Sequence, residues 1–222
     1  RRTVGPMTSA VPFSQYMEAS LYDPVAGFYT RHGHAGRRGD FLTSPEVGPL
    51  FGALVGRRLD REWERLGRPD PFTVVEVGAG PGTLARSIAF AVPDCAPALR
   101  YVLVEISAAQ RSHHGEHLAG WVGELDDATV DPFVVSGGGG PRFASSASMP
   151  TRIDGVVLAN ELLDNLPFDI VRDSGTGFEQ LLVIEGEDGH DFRSASVELP
   201  TAMAAVLGTV PTGAWVPWQH RA

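Results

Sequence analysis

Lysine is absent from this chain of 222 residues, and all 18 of its basic residues are arginine. A phosphate-binding loop of the G-x-x-x-x-G-K-[ST] type, a kinase-type strand lysine and a Schiff-base lysine all require a lysine amine. The sequence therefore excludes these three kinds of site within the residues given.

Cysteine and long apolar runs are also scarce. The single cysteine, Cys95, cannot form an internal disulfide and is typical of a reducing compartment. No apolar run approaches the ~20 residues that span a bilayer, and no signal-peptide pattern is visible. We therefore expect a cytoplasmic protein without a membrane partner. The 27 acidic and 18 basic residues give a net charge of -9, which disfavours nucleic acid and favours a basic partner.

The most informative stretch is residues 74–84, where an apolar run ends in Glu76 and opens into three alternating glycines. Glycine allows backbone angles closed to other residues and lets the main chain approach a ligand closely. A dinucleotide fingerprint needs G-x-G-x-x-G, and Thr83 stands where its third glycine would be. The spacing favours a turn that binds S-adenosylmethionine over a hydride-transfer turn. The glycines are Gly78, Gly80 and Gly82.

A second apolar run, residues 101–104, ends in Glu105, 23 residues beyond Gly82. Ligands bind open α/β sheets at the carboxyl ends of the strands, so we expect Glu76 and Glu105 at that edge. A carboxylate at this offset can accept hydrogen bonds from both ribose hydroxyls of the cofactor. The alternative is an ordinary strand, turn and helix with a surface glutamate, and the second strand with its acid disfavours it.

Helix and strand patterns surround these motifs. A helix is predicted to begin at Ser14, its N-cap, and to stop at Asp23–Pro24. A strong amphipathic helix begins at Ser44–Pro45–Glu46 and ends at Gly67. The other predicted elements are a strand at 72–77, a helix at 83–91, a strand at 101–104 and a helix from Ser107 to about Leu118.

Residues 153–159 form another apolar run, which ends in Asn160 and Glu161. Strands alternating with helices predict a parallel sheet, and the order of the motifs makes this run its fourth strand. Residues 168–172 and 178–185 then predict an antiparallel hairpin inserted after that strand.

Three blocks of sequence carry a more specific signal. They are residues 39–46 (GDFLTSPE), residues 76–82 (EVGAGPG) and residues 159–167 (ANELLDNLP). Together they resemble the MidA-like S-adenosylmethionine-dependent methyltransferases, whose mitochondrial members are complex I assembly factors that methylate arginine. The first and third blocks are similar to the family's G-D-F-x-T-S-P-E and A-N-E-x-x-D-x-L-P signatures and are more specific than the glycine turn.

The resemblance implies an α/β fold: a Rossmann-like class I methyltransferase sheet with an N-terminal helical segment and an inserted β-hairpin after the fourth strand. Residues 1–70 would be the helical segment that covers the acceptor site. Residues 71–222 would be the cofactor-binding domain, truncated at its C-terminal end because chains of the family continue past Gln219.

The resemblance also implies a cofactor, S-adenosyl-L-methionine, and a partner, a protein with an accessible arginine. A homodimer is compatible with it, and the eukaryotic members it points to are mitochondrial. Carboxylates near the acceptor would hold the planar guanidinium bidentately. The expected cofactor-binding residues are Glu76, Gly78, Gly80, Gly82, Glu105 and Asn160. The expected catalytic residues are Asp40, Glu161 and Asp164.

Other interpretations of these residues stay open. Glu46 is a further candidate for the acceptor site and serves equally well as a first-turn helix acid. Asp164 can also be a turn-forming residue, although the catalytic role is favoured. The alternative function is a non-catalytic assembly factor or scaffold that retains the fold, although acids follow strands one, two and four as a working site requires. An NAD-dependent oxidoreductase is disfavoured by the glycine spacing.

Two groups of histidines raise the question of a metal site. No cysteine accompanies either group, and the second lies on a predicted helix whose polar face can be solvated. We therefore expect no metal. The groups are His32 with His34, and His113 and His114 with His117.

Overall fold

The computed structural model describes residues 10–31, 49–116, 118–125, 139–186 and 189–219. Contacts divide the chain into two compact units, residues 33–163 and residues 1–32 with 164–222. We call them the parallel unit and the antiparallel unit after their sheets. Within the described ranges, no helix is both long and apolar enough to cross a membrane.

The helices and strands follow one another along both units. In chain order they are β1 (Val11–Pro12), α1 (Phe13–Tyr22), α2 (Phe28–Arg31), α3 (Pro49–Arg65), β2 (Phe72–Val77), α4 (Thr83–Ala91), a 3₁₀ turn (Ala96–Ala98), β3 (Leu99–Val104), α5 (Ala108–Arg111), β4 (Trp121–Glu124), β5 (Arg142–Ser146), β6 (Gly155–Ala159), a 3₁₀ turn (Leu163–Asn165), β7 (Asp169–Asp173), β8 (Phe178–Gly186), β9 (Gly189–Ser196), α6 (Thr201–Leu207) and β10 (Val216–Trp218).

The parallel unit is built on a five-stranded sheet with the order β4-β5-β3-β2-β6. Every neighbouring pair is parallel. Val77, the last residue of β2, is aligned with Val104 of β3 and with Ala159 of β6. The carboxyl ends of these three strands are therefore level at one edge of the sheet. A mixed α/β fold with a parallel sheet, as predicted, is confirmed.

Several predicted elements occur with nearly the expected bounds. The strand at 72–77 and the helix at 83–91 match β2 and α4, while the strand predicted at 101–104 begins two residues earlier, at Leu99. The start signal at Ser44–Pro45–Glu46 lies outside the described residues. The helix that follows it, α3, ends at Arg65, and Gly67 beyond it has a φ of +83°.

The helix predicted from Ser107 to about Leu118 is much shorter. Ser107 does cap it, because its hydroxyl accepts the N–H of Gln110 at 3.4 Å, but helical structure ends at Arg111. Turns continue to Glu116. Tertiary contacts outweigh helix propensity here, since the ring of His114 is buried inside the unit and Gly115 lies against the indole of Trp121.

Both faces of the central strands are buried, which explains why these strands have continuous apolar sequences. The face that α3 and α4 cover contains the larger cluster and includes Cys95, which has no exposed surface. The opposite face has a smaller cluster of three valines, Val75, Val102 and Val104. Phe72, Val74, Tyr101, Leu103 and Phe143 from the strands and Leu59, Leu84 and Ile88 from the helices form the centre of the larger cluster.

The antiparallel unit contains the remaining strands. β7 and β8 pair antiparallel, with Val171 opposite Gln180, across a turn in which Ser174 N–H donates to the Gly177 carbonyl at 2.9 Å. β8 also pairs with β1 and β9, and β10 pairs with β7. The two segments predicted as a hairpin therefore pair with each other.

The start of α1 differs from the prediction. The helix begins at Phe13, with Pro12 at the cap position, so the assignment of Ser14 as N-cap is wrong. The Ser14 backbone N–H instead donates to the carboxylate of Asp169 at 3.0 Å. An acid 155 residues away in sequence thus satisfies an open donor of the first turn, which local sequence rules cannot detect. The predicted stop at Asp23 is confirmed.

The two units do not coincide with the predicted division at residue 70. Residues 10–31 belong to the antiparallel unit, whereas α3 belongs to the parallel unit. The reason is close packing between α3 and α4, in which Gly52 lies directly against Ser87 and Leu59 is fully buried.

Candidate functional site

The glycine turn, residues 78–82, follows β2 at the level edge of the parallel sheet. All three glycines predicted there have positive φ, +70° at Gly78, +53° at Gly80 and +79° at Gly82. This region is accessible to glycine and strained for residues with a side chain. The N–H groups of Gly78 and Ala79 both donate to the carbonyl of Val104, at 2.9 and 3.1 Å. The turn is therefore attached to the end of β3.

The surroundings of the three glycines differ. A Cβ on Gly78 would lie 2.8 Å from Leu162, in the loop after β6, and one on Gly82 would lie 2.9 Å from Leu103. At Gly80 no atom of the residues that the structure describes lies within 4 Å of the corresponding position. Gly78 and Gly82 are thus required by protein packing, whereas Gly80 leaves an open place at the carboxyl edge of the sheet.

Glu105 follows β3, and its carboxylate faces the glycine turn. Its Oε2 accepts the N–H of Gly80 at 3.0 Å, and its Oε1 accepts the N–H of Ser107 at 2.8 Å. The guanidinium of Arg111 donates to the carbonyls of Glu105 and Ile106, both at 2.9 Å. Side-chain and backbone bonds therefore hold this carboxylate in one position beside Gly80.

Glu76 lies in β2 one residue before its end and is almost entirely buried. Its Oε2 accepts the hydroxyl hydrogen of Tyr101 at 2.8 Å. Burial raises the pKa of Glu76 to about 7, while the Tyr101 bond and the charge of Arg86 oppose that rise. Near neutral pH this carboxyl is therefore divided between its protonated and ionised forms.

The loop after β6 reaches the glycine turn at Leu162, which lies against Gly78. Asn160 is half-buried, and Glu161 is exposed with a φ of +50°. Asp164 is exposed in the 3₁₀ turn Leu163–Asn165 and belongs to the antiparallel unit. Asp40 and Glu46 lie outside the described residues. The structure thus brings together the ends of β2, β3 and β6, with all six residues predicted to bind the cofactor.

Sequence reasoning missed a residue beneath the turn. His114, expected on a solvated face, is fully buried, and its ring bonds the Gly80 carbonyl at 2.6 Å and the Ser145 hydroxyl at 2.8 Å. Arg86 of α4 supports the same turn by donating to the carbonyl of Pro81 at 2.7 Å. The only signal for His114 was its place four residues before the apolar Leu118.

The described residues contain no group of three His, Cys, Asp or Glu side chains that could hold a metal ion. His113 is exposed and lies 3.2 Å from Glu116. The remaining predicted histidines, His32, His34 and His117, fall outside what the structure describes.

The profile of one protein family matches residues 54–212, and that family is described as "Putative S-adenosyl-L-methionine-dependent methyltransferase". The match covers well over half of the sequence. The chain belongs to this family. S-adenosylmethionine is the cofactor of the family, and the predicted resemblance to MidA-like methyltransferases is confirmed.

Proteins from animals are similar to this chain, two of them over most of its length. The mitochondrial protein arginine methyltransferase NDUFAF7 of Danio rerio is 29% identical over 211 residues, 90% of this chain and 50% of the relative. That of Xenopus tropicalis is 29% identical over 192 residues, 82% of this chain and 44% of the relative. The Drosophila melanogaster homolog is 48% identical over 81 residues, 36% of this chain and 18% of the relative. The chain thus spans about half the length of the curated relatives that it matches most broadly.

A solved structure shares the fold. A Burkholderia thailandensis protein bound to S-adenosyl-homocysteine aligns with a TM-score of 0.66 and 27% identity, over 90% of this chain and 49% of that one. The residues of the present site fit such a ligand, because Gly80 leaves open space beside a fixed carboxylate that can accept hydrogen bonds from hydroxyl groups.

Proposed function

We propose that this family member binds S-adenosylmethionine at the carboxyl ends of β2, β3 and β6 and uses it to methylate arginine in a protein. The observation that carries the proposal is the Glu105 carboxylate, held by two backbone amides beside the glycine turn. A site that already has its binding geometry loses little conformational entropy when a ligand binds.

Each predicted cofactor residue has a distinct task in this proposal. Glu105 accepts hydrogen bonds from the ribose hydroxyls through lone pairs that the amides leave open. Gly80 lets the backbone approach the ligand, while Gly78 and Gly82 allow Leu162 and Leu103 to pack beneath the turn. Asn160 supplies an amide at the end of β6. Glu76 joins β2 to β3 through its bond to Tyr101, two residues before the turn.

The bound cofactor would supply a methyl group on a positively charged sulfur. Methyl transfer is an in-line displacement, so the protein must align the acceptor nitrogen and exclude competing water. We assign Glu161, Asp164 and Asp40 to the guanidinium, which carboxylates hold bidentately. That cofactor would give its methyl group to the acceptor nitrogen and leave as the neutral thioether, and one of these carboxylates would accept the proton that the guanidinium releases. The relatives' names as protein arginine methyltransferases support this choice of acceptor.

The finer features of the fold are part of the proposal. The order β5-β3-β2-β6 supports a Rossmann-like class I sheet, and the paired β7 and β8 support an inserted hairpin. A covering role for residues 1–70, a homodimer, the absence of nucleic-acid and membrane partners, and a cytoplasmic location all stay predictions. The named animal relatives are mitochondrial.

Calorimetric titration with S-adenosylmethionine and S-adenosyl-homocysteine tests the site, with NAD as the competing ligand. We expect micromolar binding of the first two, no response to NAD, and binding weakened at least about tenfold by Glu105→Ala. The matched control is Glu116→Ala, which removes an exposed acid paired only with His113 among the contacts described. Binding of NAD, or equal effects of the two substitutions, would contradict the assignment. Cofactor binding without methyl transfer to arginine-containing protein would favour the scaffold alternative.

A further inference from the structure

His114 lies directly beneath the glycine turn. Its side chain has no exposed surface, and its ring carbon Cδ2 is 3.4 Å from the place where a Cβ on Gly82 would stand. The third glycine of the motif thus leaves room for this ring. Burying an imidazole is costly unless its two nitrogens find partners, and here both do.

The partners determine where the proton of the imidazole lies. The Gly80 carbonyl can only accept, so Nε2 carries the hydrogen and donates it at 2.6 Å. Nδ1 then accepts the hydrogen of the Ser145 hydroxyl at 2.8 Å. Burial lowers the pKa of His114, and the positive charges of Arg86 and Arg111 lower it further. The hydrogen bond to Gly80 and the charge of Glu124 raise the pKa but do not offset these effects. The neutral ring with this single tautomer is therefore the form at neutral pH.

Gly80 is consequently held from both sides. Glu105 accepts its N–H, and His114 donates to its carbonyl. The segment that carries His114 also carries Arg111, which holds the carbonyls of Glu105 and Ile106. Arg111 and His114 therefore fix both loops of the proposed cofactor site, Arg111 the one after β3 and His114 the one after β2.

We propose that His114 is a positioning residue that sets the affinity of the cofactor site through its bond to the Gly80 carbonyl. It does not reach the ligand itself. It fixes the glycine turn in the conformation in which the Gly80 N–H and the Glu105 carboxylate face each other, so binding requires no ordering of the turn. This inference rests on the proposed assignment of the cofactor to the glycine turn.

Two amide substitutions separate this role from simple burial of a polar ring. Glutamine places its amide nitrogen near the position of Nε2 and can donate to the Gly80 carbonyl. Asparagine reaches only the position of Nδ1, next to Ser145. His114→Phe retains a ring but has no donor. The control is His113→Ala, which alters the adjacent exposed histidine.

The measurements are calorimetric titration with S-adenosyl-homocysteine and thermal unfolding of each variant. We expect His114→Gln to bind within about threefold of the unaltered protein, and both His114→Asn and His114→Phe to bind about tenfold more weakly, the equivalent of one lost hydrogen bond. His113→Ala should have no effect. Because three variants are compared, the order of affinities is informative even where one of them fails to fold.

Equal affinity in all variants that fold, while the unaltered protein binds, would overturn the positioning role and leave the cofactor assignment intact. Affinity that follows only the unfolding temperature would show that His114 acts through stability, and would overturn it too. No binding by the unaltered protein would instead overturn the cofactor assignment, and the inference with it.

Discussion

The hydroxyl of Tyr101 donates a 2.8 Å hydrogen bond to the carboxylate of Glu76 inside the core of the parallel unit. The two residues occupy neighbouring strands, β2 and β3, and almost no surface of either is exposed. Burial dominates the electrostatics of the pair, raising the pKa of Glu76 to about 7 and the pKa of Tyr101 well above its usual value. A carboxyl group that titrates near neutral pH thus lies in β2, two residues before the glycine turn.

Stability should therefore fall as this carboxyl ionises. The folded pKa of about 7 exceeds the ordinary 4.5, so between these values the native state binds a proton that the unfolded chain does not. The contribution of Glu76 to stability is largest below pH 4.5 and decreases as the pH rises through 7. Relative to Glu76→Gln, we expect the unfolding free energy to drop by roughly 2.5 kcal/mol between pH 5 and pH 8, measured by urea unfolding.

The control for this prediction is Tyr101→Phe. It removes a hydrogen bond that favours the ionised carboxylate, so the decrease in stability should extend to higher pH. Parallel stability curves for the unaltered protein and Glu76→Gln would show that Glu76 does not titrate in this range.

Gly80 and Gly82 offer a matched pair of substitutions in the turn. Both have positive φ, so alanine at either position should cost about 1–2 kcal/mol of backbone strain. Only at Gly82 would the new Cβ also lie 2.9 Å from the buried side chain of Leu103 and 3.4 Å from His114. We expect Gly82→Ala to cost about 1–3 kcal/mol more than Gly80→Ala in chemical unfolding. Equal losses of unfolding free energy would mean that the side chains beneath the turn move aside for the new Cβ without destabilising the protein.

Local and periodic signals predicted β2, β3 and β6 of the parallel sheet but not β4 and β5. The run at 72–77 is apolar because both faces of β2 are covered, and the glycines in residues 78–82 are needed for positive φ. Such features depend on neighbours in sequence, which a single sequence displays. The acids Glu76 and Glu105 were placed correctly at the ends of their strands for the same reason.

Contacts between distant residues were not predictable in this way. The buried bonds of His114 join residues 31 and 34 positions apart, and the cap on Ser14 comes from Asp169. Each depends on the geometry of the finished fold and not on a local pattern. The predicted helix after Ser107 failed for this reason, because burial of His114 outweighed the helical tendency of the segment.

Two glycines on α3 should respond oppositely to the same substitution. A Cβ on Gly52 would lie 2.5 Å from Ser87 Cβ and 2.6 Å from its carbonyl carbon, so α3 and α4 would have to move apart. A Cβ on Gly56 would meet Pro93 at an ordinary 3.5 Å. We expect Gly52→Ala to destabilise the protein by about 3 kcal/mol or more, and Gly56→Ala to stabilise it by roughly 0.5–1 kcal/mol. Thermal and urea unfolding would test both, and a neutral Gly52→Ala would disprove the close packing.

A substitution of Glu161 can distinguish a role in catalysis from a role in cofactor binding. It follows β6 beside the glycine turn, is exposed, and has a strained φ of +50°. Strain of this kind persists where the surroundings impose it, often at functional sites. If Glu161 holds the acceptor guanidinium, Glu161→Gln should lower kcat for methyl transfer by about 10²-fold, because the amide neither pairs with the cation nor accepts its proton. Affinity for S-adenosyl-homocysteine should stay within about twofold, since the proposed cofactor bonds lie at Glu105 and Gly80.

Glu116→Gln provides the matched exposed control. A variant with normal kcat would remove Glu161 from the acceptor site, whereas parallel losses of kcat and affinity would reassign it to cofactor binding.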